Sequence, residues 1–277
     1  MKRLIIIILC CLPFLASADD FAQICPDVLH GPVKMVKSAT FVGVQTGSFR
    51  NLTYDSSTPI DIAYYDTDSR ETKLECWYKE ELKWYYITTY AGDSSSRINY
   101  DSEGNYKNYK IVKFYNQAGL PVRIDTYTKS DTIWVSDSLV YNQWNKIAIV
   151  YHSHHLNPFQ LWHAFKFDEQ GRIIGGRTFD DGKEVSGFKV DYSEEKILVS
   201  YASNRQDEGV KTWAQEYIFD KKGRLIEERT NNWRKVYSAF DKYDNWTRCI
   251  TTATTGPMIN SSATIVREIT YWPLKNI

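Results

Sequence analysis

Beyond residue 60 the chain alternates apolar and polar residues with a period of two, as in Phe165-Lys166-Phe167 and Val190-Asp191-Tyr192. That period puts every second side chain on one face of a pleated strand. The alternating runs are short, and clusters of Asp, Asn, Ser, Lys and Gly separate them. No amphipathic helix of convincing length interrupts them. The pattern predicts an antiparallel meander of a dozen or more strands.

The runs are organised by an internal repeat. Phe167-Asp168-Glu169-Gln170-Gly171-Arg172-Ile173 matches Phe219-Asp220-Lys221-Lys222-Gly223-Arg224-Leu225, and looser copies begin at Tyr115, Tyr141, Tyr192 and Phe240. The six starts are separated by 26, 26, 25, 27 and 21 residues, with irregular copies upstream at Tyr65 and Tyr100. Each copy reads as a hairpin tip, because Gly, Asn or Asp at the fifth place tolerates the positive φ of a tight turn. The turn positions are Gly104, Gly119, Asn145, Gly171, Gly223 and Asp244. About 25 residues accommodate two strands and two turns. Leu139, Phe165, Val190 and Tyr217, two places before the aromatic, should share one face with Ile147, Ile173, Leu198, Leu225 and Trp246, two places after the turn. Lys166, Arg172, Asp191, Glu216 and Arg224 should face the other way. The expected fold is all-β, a meander of repeated hairpins forming one long curved sheet, with a β-sandwich as the alternative.

These motifs resemble the signature of YD-repeat, or Rhs-like, proteins, and Asp181 to Gly187 resembles a MORN-like hairpin. Residues 240–247 and 267–272 resemble the last repeat of small secreted bacterial proteins related to that family. The resemblance implies a non-catalytic sheet that wraps, displays or scaffolds. A carboxy-terminal toxin segment, which would accompany an encapsulating role, is not recognisable here.

The amino terminus changes the picture by supplying an address. Lys2 and Arg3, the apolar run Leu4 to Leu15, and Ala16-Ser17-Ala18 read as a cleaved signal peptide. The expected division is a leader at 1–18, an amino-terminal arm with capping strands at 19–60, and the repeat domain at 61–277. The mature chain should begin at Asp19 and act in the periplasm or at the cell surface. No later stretch is apolar and long enough for a spanning helix, so the chain is expected not to span a membrane. Export permits disulfides among Cys25, Cys76 and Cys249; a Cys25–Cys76 bond is one reading, and three reduced or buried thiols the other.

Composition excludes one large class of partner. The sequence has 34 basic and 34 acidic residues, a balance that argues against nucleic-acid binding. No catalytic motif or cofactor fingerprint occurs, so the expected protein is a non-enzymatic binder of an envelope protein or polysaccharide, without cofactor. An envelope hydrolase or metal-dependent enzyme remains an alternative. Two clusters carry candidate chemistry. His152, His154 and His163 are imidazoles that a hairpin could bring to one metal site, although exposed loop histidines are the commoner explanation and no metal is expected. Trp134, Trp144, Trp162, Trp213 and Trp233 recur along successive units; on an exposed face they would stack on sugar rings, the reading of a carbohydrate-binding module. Filling a core is the other use of such residues.

Overall fold

The computed structural model describes residues 29–42, 58–155, 157–205, 209–256 and 261–273. The leader, Asp19 and Cys25 lie outside the described residues, and with them any Cys25–Cys76 bond. The strands are β1 (Val33–Val42), β2 (Ile60–Tyr65), β3 (Glu71–Tyr78), β4 (Glu81–Ala91), β5 (Ser94–Asp101), β6 (Tyr106–Tyr115), β7 (Pro121–Tyr127), β8 (Ile133–Tyr141) and β9 (Ile147–His154). They continue as β10 (Gln160–Phe167), β11 (Ile173–Asp180), β12 (Lys183–Tyr192), β13 (Lys196–Arg205), β14 (Gly209–Phe219), β15 (Leu225–Thr230), β16 (Trp233–Phe240), β17 (Trp246–Ala253) and β18 (Ser262–Tyr271).

Each strand pairs antiparallel with the next, and β1 also pairs with β18, from Val33↔Tyr271 to Val42↔Ala263. The meander therefore closes into an eighteen-stranded up-and-down barrel. This corrects both expected architectures, the long curved sheet and the sandwich. The physical reason is the amino-terminal strand: Met35 to Ala39 pair with β2 on one side and β18 on the other, so neither end of the sheet stays open. At a spacing of about 4.8 Å and a tilt of about 40°, such a wall is about 35 Å across the backbone if circular. The expectation that the chain does not span a membrane is likewise withdrawn. It rested on apolar helices, and a closed barrel is the form in which strands cross a bilayer.

The hairpin tips repeat in atomic detail. At Asp66, Asn116, Asn142, Asp168, Asp220 and Asp241 the backbone N–H donates to the carbonyl four residues on, and the third residue on donates back. The side-chain Oδ1 accepts two further backbone N–H bonds, as from Gln170 (3.0 Å) and Arg172 (2.8 Å) to Asp168. The third residue has positive φ in each, +74° at Gly171, +77° at Gly223 and +63° at Asp244. All six tips follow even-numbered strands and so lie on one rim. The copy at Tyr100-Asp101 has the same bonds but follows β5, on the opposite rim.

Neighbouring tips on this rim are bolted together. Arg172 bonds Asp168 (2.7 Å) and lies over the Tyr192 ring of the next unit; Arg224 lies over Phe240 and reaches Asp244 (3.1 Å). Tyr141 and Tyr192 donate their hydroxyls to the carbonyls of Pro121 and Ile173, one unit back. Tyr192 begins a different tip, in which Ser193 N–H bonds the Lys196 carbonyl. The shorter turn shifts the register, so Ile197, not Leu198, joins the core, and Leu198 falls on the other face opposite Glu216.

Inner and outer faces of the wall differ. Leu139, Val150, Phe165, Ile173, Phe188, Val190 and Val199 form one buried band on β8 to β13, with Val150 and Val199 at 0% exposure. Lys166, Lys189 and Asp191, on the opposite face of the same strands, are exposed. Side chains converge on the concave side of a closed wall, which makes the buried band the inner face. The outer face carries cross-strand ion pairs, among them Glu216 with Lys196 and Arg229, and Glu227 with Arg234, together with the pair of Arg123 and Asp125 along β7. At the seam burial changes sides: Ala39, Ile60, Ile62 and Val266 pack on the outer face with Phe41 and Trp77.

Candidate functional site

The inner face of β10 to β14 carries an aromatic row set by strand register. Phe165 lies opposite Gly176, Gly176 opposite Phe188, Phe188 opposite Tyr201, and Tyr201 opposite Trp213. The rings follow at centroid distances of 6.3 Å (Phe165–Phe188), 5.9 Å (Phe188–Tyr201) and 5.1 Å (Tyr201–Trp213), the last pair stacked and nearly parallel at 5°. Gly176 permits this. A Cβ there would lie 2.5 Å from Phe188 and 2.8 Å from Phe165, so the missing side chain lets two phenylalanines meet across β11.

At Trp213 the row reaches a step in the rim. The last β14–β15 pair is Gln215↔Thr230, after which Asn231-Asn232 turn the chain into β16. The tip is held from behind: Thr254 donates its N–H to the Asn232 carbonyl and its hydroxyl to that of Asn231, and Thr255 donates to the Asn232 side chain. β14 runs on past the step, and a cleft of about 560 Å³ opens between Trp213 and Trp233. Gln215, Thr230, Asn232 and Lys211 supply its polar groups. Trp213 is 42% exposed, and Lys235 lies over the Trp233 ring at 4.8 Å. Two indoles flanking amides, a hydroxyl and an amine can stack on a ring and bond its hydroxyls.

Of the five tryptophans read from the sequence, Trp213 and Trp233 share this cleft and the others do not. Trp162 packs against the inner core and His152 (4.5 Å). Trp134 stacks on Tyr109 (5.2 Å) and meets His154 edge-on. Trp144 sits on the rim against Phe167 and covers Gly171. The histidines are also separated by role. His152 Nδ1 pairs with Asp137 (2.8 Å), His163 Nδ1 with the Thr178 hydroxyl (3.1 Å), and His154 packs on His155. Burial, and then the nearby His152, push the His163 imidazole down to about 4, so it is neutral at ordinary pH. Among the described residues no group of three or more His, Cys, Asp or Glu is placed to hold a metal. Cys76 and Cys249 are buried, and burial pushes the Cys249 thiol up to about 11.

Another arc of the inner face is polar. Glu71 accepts bonds from Arg97 (3.1 Å) and Tyr86, its carbonyl accepts from Tyr90, and Tyr115 bonds Ser95 (2.8 Å). A second depression, of about 770 Å³, lies over Gly175, Gly187, Ser200 and Ala202 and is rimmed by Lys166 and Lys189. Sequence reasoning passed over Phe188 and Tyr201, although the successive steps from Phe188 to Tyr201 and from Tyr201 to Trp213, 13 and 12 residues, are each half the repeat and would have marked a mid-strand row.

No family model matches the chain, and no curated protein does. Among solved structures it is similar to a porin-like protein from Bacteroides uniformis ATCC 8492, at 11% identity and a TM-score of 0.47, over 87% of this chain and 99% of that one. The closed eighteen-stranded wall corrects the resemblance to YD-repeat, Rhs-like and MORN-like proteins. The Y-D motif here is the bonding pattern of a hairpin tip in a closed barrel, since an aspartate accepting two turn N–H groups needs the same residues in either setting.

Proposed function

We propose that the chain is an exported, non-catalytic barrel of the cell envelope that binds carbohydrate on its inner wall, in the cleft between Trp213 and Trp233. The carrying observation is the cleft itself, lined by two indoles together with Gln215, Thr230 and Asn232. Its volume lies within the usual range of small-ligand sites. Indole faces pack on the C–H faces of sugars, and side-chain amides exchange hydrogen bonds with hydroxyls. The export address supports the envelope setting, where polysaccharide is abundant.

Titration of the mature chain with a panel of envelope oligosaccharides, read by tryptophan fluorescence and calorimetry, tests the reading. Trp213→Ala and Trp233→Ala should each weaken binding by about tenfold, the effect of losing one stacked ring. Trp134→Phe, distant in the fold, should leave affinity unchanged. Failure of the whole panel to bind, or binding indifferent to both cleft variants, overturns the proposal.

A further inference from the structure

Arg97 and Lys113 stand diagonally across the β5–β6 ladder on the inner face. Ser95 pairs with Lys113 and Arg97 with Ile111; on its other side Lys113 faces Ile124, which packs against the inner core. Directly opposed residues hold their Cβ atoms about 4.5–5.5 Å apart and diagonal ones about 7–8 Å, within reach of two long side chains. Negative charge is unevenly shared between the two cations. The Glu71 carboxylate is taken by Arg97 (3.1 Å) and by the Tyr86 hydroxyl. Lys113 is half-buried and makes no hydrogen bond or ion pair among the described residues. Burial and the Arg97 guanidinium push its ammonium below the ordinary lysine range, with Glu71 pulling the other way. The next carboxylate in its row is Asp137, beyond Ile124, and that one is bonded to His152 (2.8 Å).

The groups left over at this point of the wall are all donors. Of its five N–H groups, Arg97 gives one to Glu71 and one to the Thr88 hydroxyl (3.4 Å). Lys113 has three to give. Ser95 and Tyr115 share one hydroxyl hydrogen across 2.8 Å, which leaves the other for a third group. We propose that this part of the inner wall binds a phosphate group, seated between Arg97 and Lys113 and bonded by the spare hydroxyl of the Ser95–Tyr115 pair. Bonds from charged donors to an oxyanion are the strong ones, and the anion supplies the counter-charge that Lys113 lacks. Donors from three side chains suit a tetrahedral group, which turns an oxygen to each, whereas a planar carboxylate has two to offer. Free phosphate and a phosphate ester share this chemistry. The carbohydrate cleft on β14 and β15 is separated from the site by β7 to β13, so neither reading rests on the other.

Calorimetric titration of the mature protein at constant ionic strength tests this with inorganic phosphate, glucose 6-phosphate and acetate. Phosphate or its ester should bind with a dissociation constant of about 0.1–1 mM, and acetate at least about tenfold more weakly. Binding of both phosphates supports a site for the bare group; binding of the ester alone supports it and makes the ligand a phosphorylated organic molecule. Lys113→Met keeps most of the stem and breaks no bond among the described residues, so the fold should persist, as circular dichroism will verify. It should weaken phosphate by about tenfold or more, while Lys113→Arg should stay within about threefold of the wild type. Trp213→Ala should leave phosphate binding unchanged, which keeps this test apart from that of the carbohydrate cleft. Absence of binding by ion and ester alike up to about 10 mM overturns the proposal. So does equal binding by the wild type and Lys113→Met, which marks an adventitious ion only. Acetate held as tightly as phosphate overturns it too.

Discussion

Adding one methyl group at Gly176 tests the register that builds the inner aromatic row. The Cβ of Gly176→Ala falls 2.5 Å from Phe188 Cε1, 2.8 Å from Phe165 Cδ1 and 2.9 Å from Phe188 Cζ. Carbon atoms pack at about 3.5–4.0 Å, so the two rings must retreat by about 1 Å. Both are nearly enclosed, at 8% exposure for Phe165 and 7% for Phe188, and the wall on either side is hydrogen-bonded ladder. Overpacking of this kind costs about 1–3 kcal/mol. For a chain of this size that is a fall of roughly 2–12 °C in melting temperature. Phe188→Leu removes the closer ring and leaves a void that the alanine methyl partly fills. The double variant should therefore be less destabilised than the two single changes added together, by at least about 0.5 kcal/mol. Urea denaturation of the four proteins, followed by tryptophan fluorescence, gives the cycle. If Gly176→Ala melts like the wild type, or if the two changes simply add, Gly176 does not lie between those rings and the register is wrong.

Three further outcomes are expected. Asp220, bonded by the Arg224 guanidinium and by backbone N–H groups, has its carboxyl held below the usual range. Its contribution is present above the unfolded carboxylate value near 3.9 and is lost as pH falls through the folded one, so urea midpoints between pH 5 and 2.5 should fall less steeply for Asp220→Asn than for the wild type. His163, pushed down to about 4 by burial, gives stability present above the unfolded value of about 6.5 and lost on acidification. Between pH 7.5 and 5 this group should remove about 2 kcal/mol, a loss that disappears in His163→Gln. Gly171→Val, with positive φ and the Trp144 ring 2.7 Å from an added Cβ, should destabilise by more than about 1 kcal/mol; an unchanged melt would contradict the turn geometry.

Much of the local architecture was legible in the sequence, and closure was not. The turn motif could be read because one aspartate side chain, three places before a residue that accepts positive φ, satisfies two backbone donors, and Asp168 and Asp220 do this with near-identical distances. The inner positions Phe165, Val190 and Tyr217 followed from alternation. Leu198 did not, because the shorter tip at Ser193 moves the register by one residue and alternation carries no memory across an irregular turn. Closure depends on the nine-residue pairing of β1 with β18, a contact between the two ends of the chain that leaves no periodic trace. At the site, tryptophan recurrence named Trp213 and Trp233 but gave no reason to prefer them to Trp134, Trp144 and Trp162. What distinguishes them is the step where β15 stops at Thr230, a difference in strand length visible only once the strands are paired.

The closed wall is tested most directly by a cross-link across its seam. Lys37 on β1 lies opposite Glu268 on β18, and directly opposed residues of an antiparallel pair place their Cβ atoms about 4.5–5.5 Å apart, close to disulfide reach. In a protein with Cys25 replaced by serine, Lys37→Cys and Glu268→Cys should form an intramolecular disulfide on mild oxidation, identified by peptide mapping without reductant and raising the melting temperature. An open sheet would hold these strands at its far ends, so thiols that stay reduced, or that link only separate chains, would contradict the barrel.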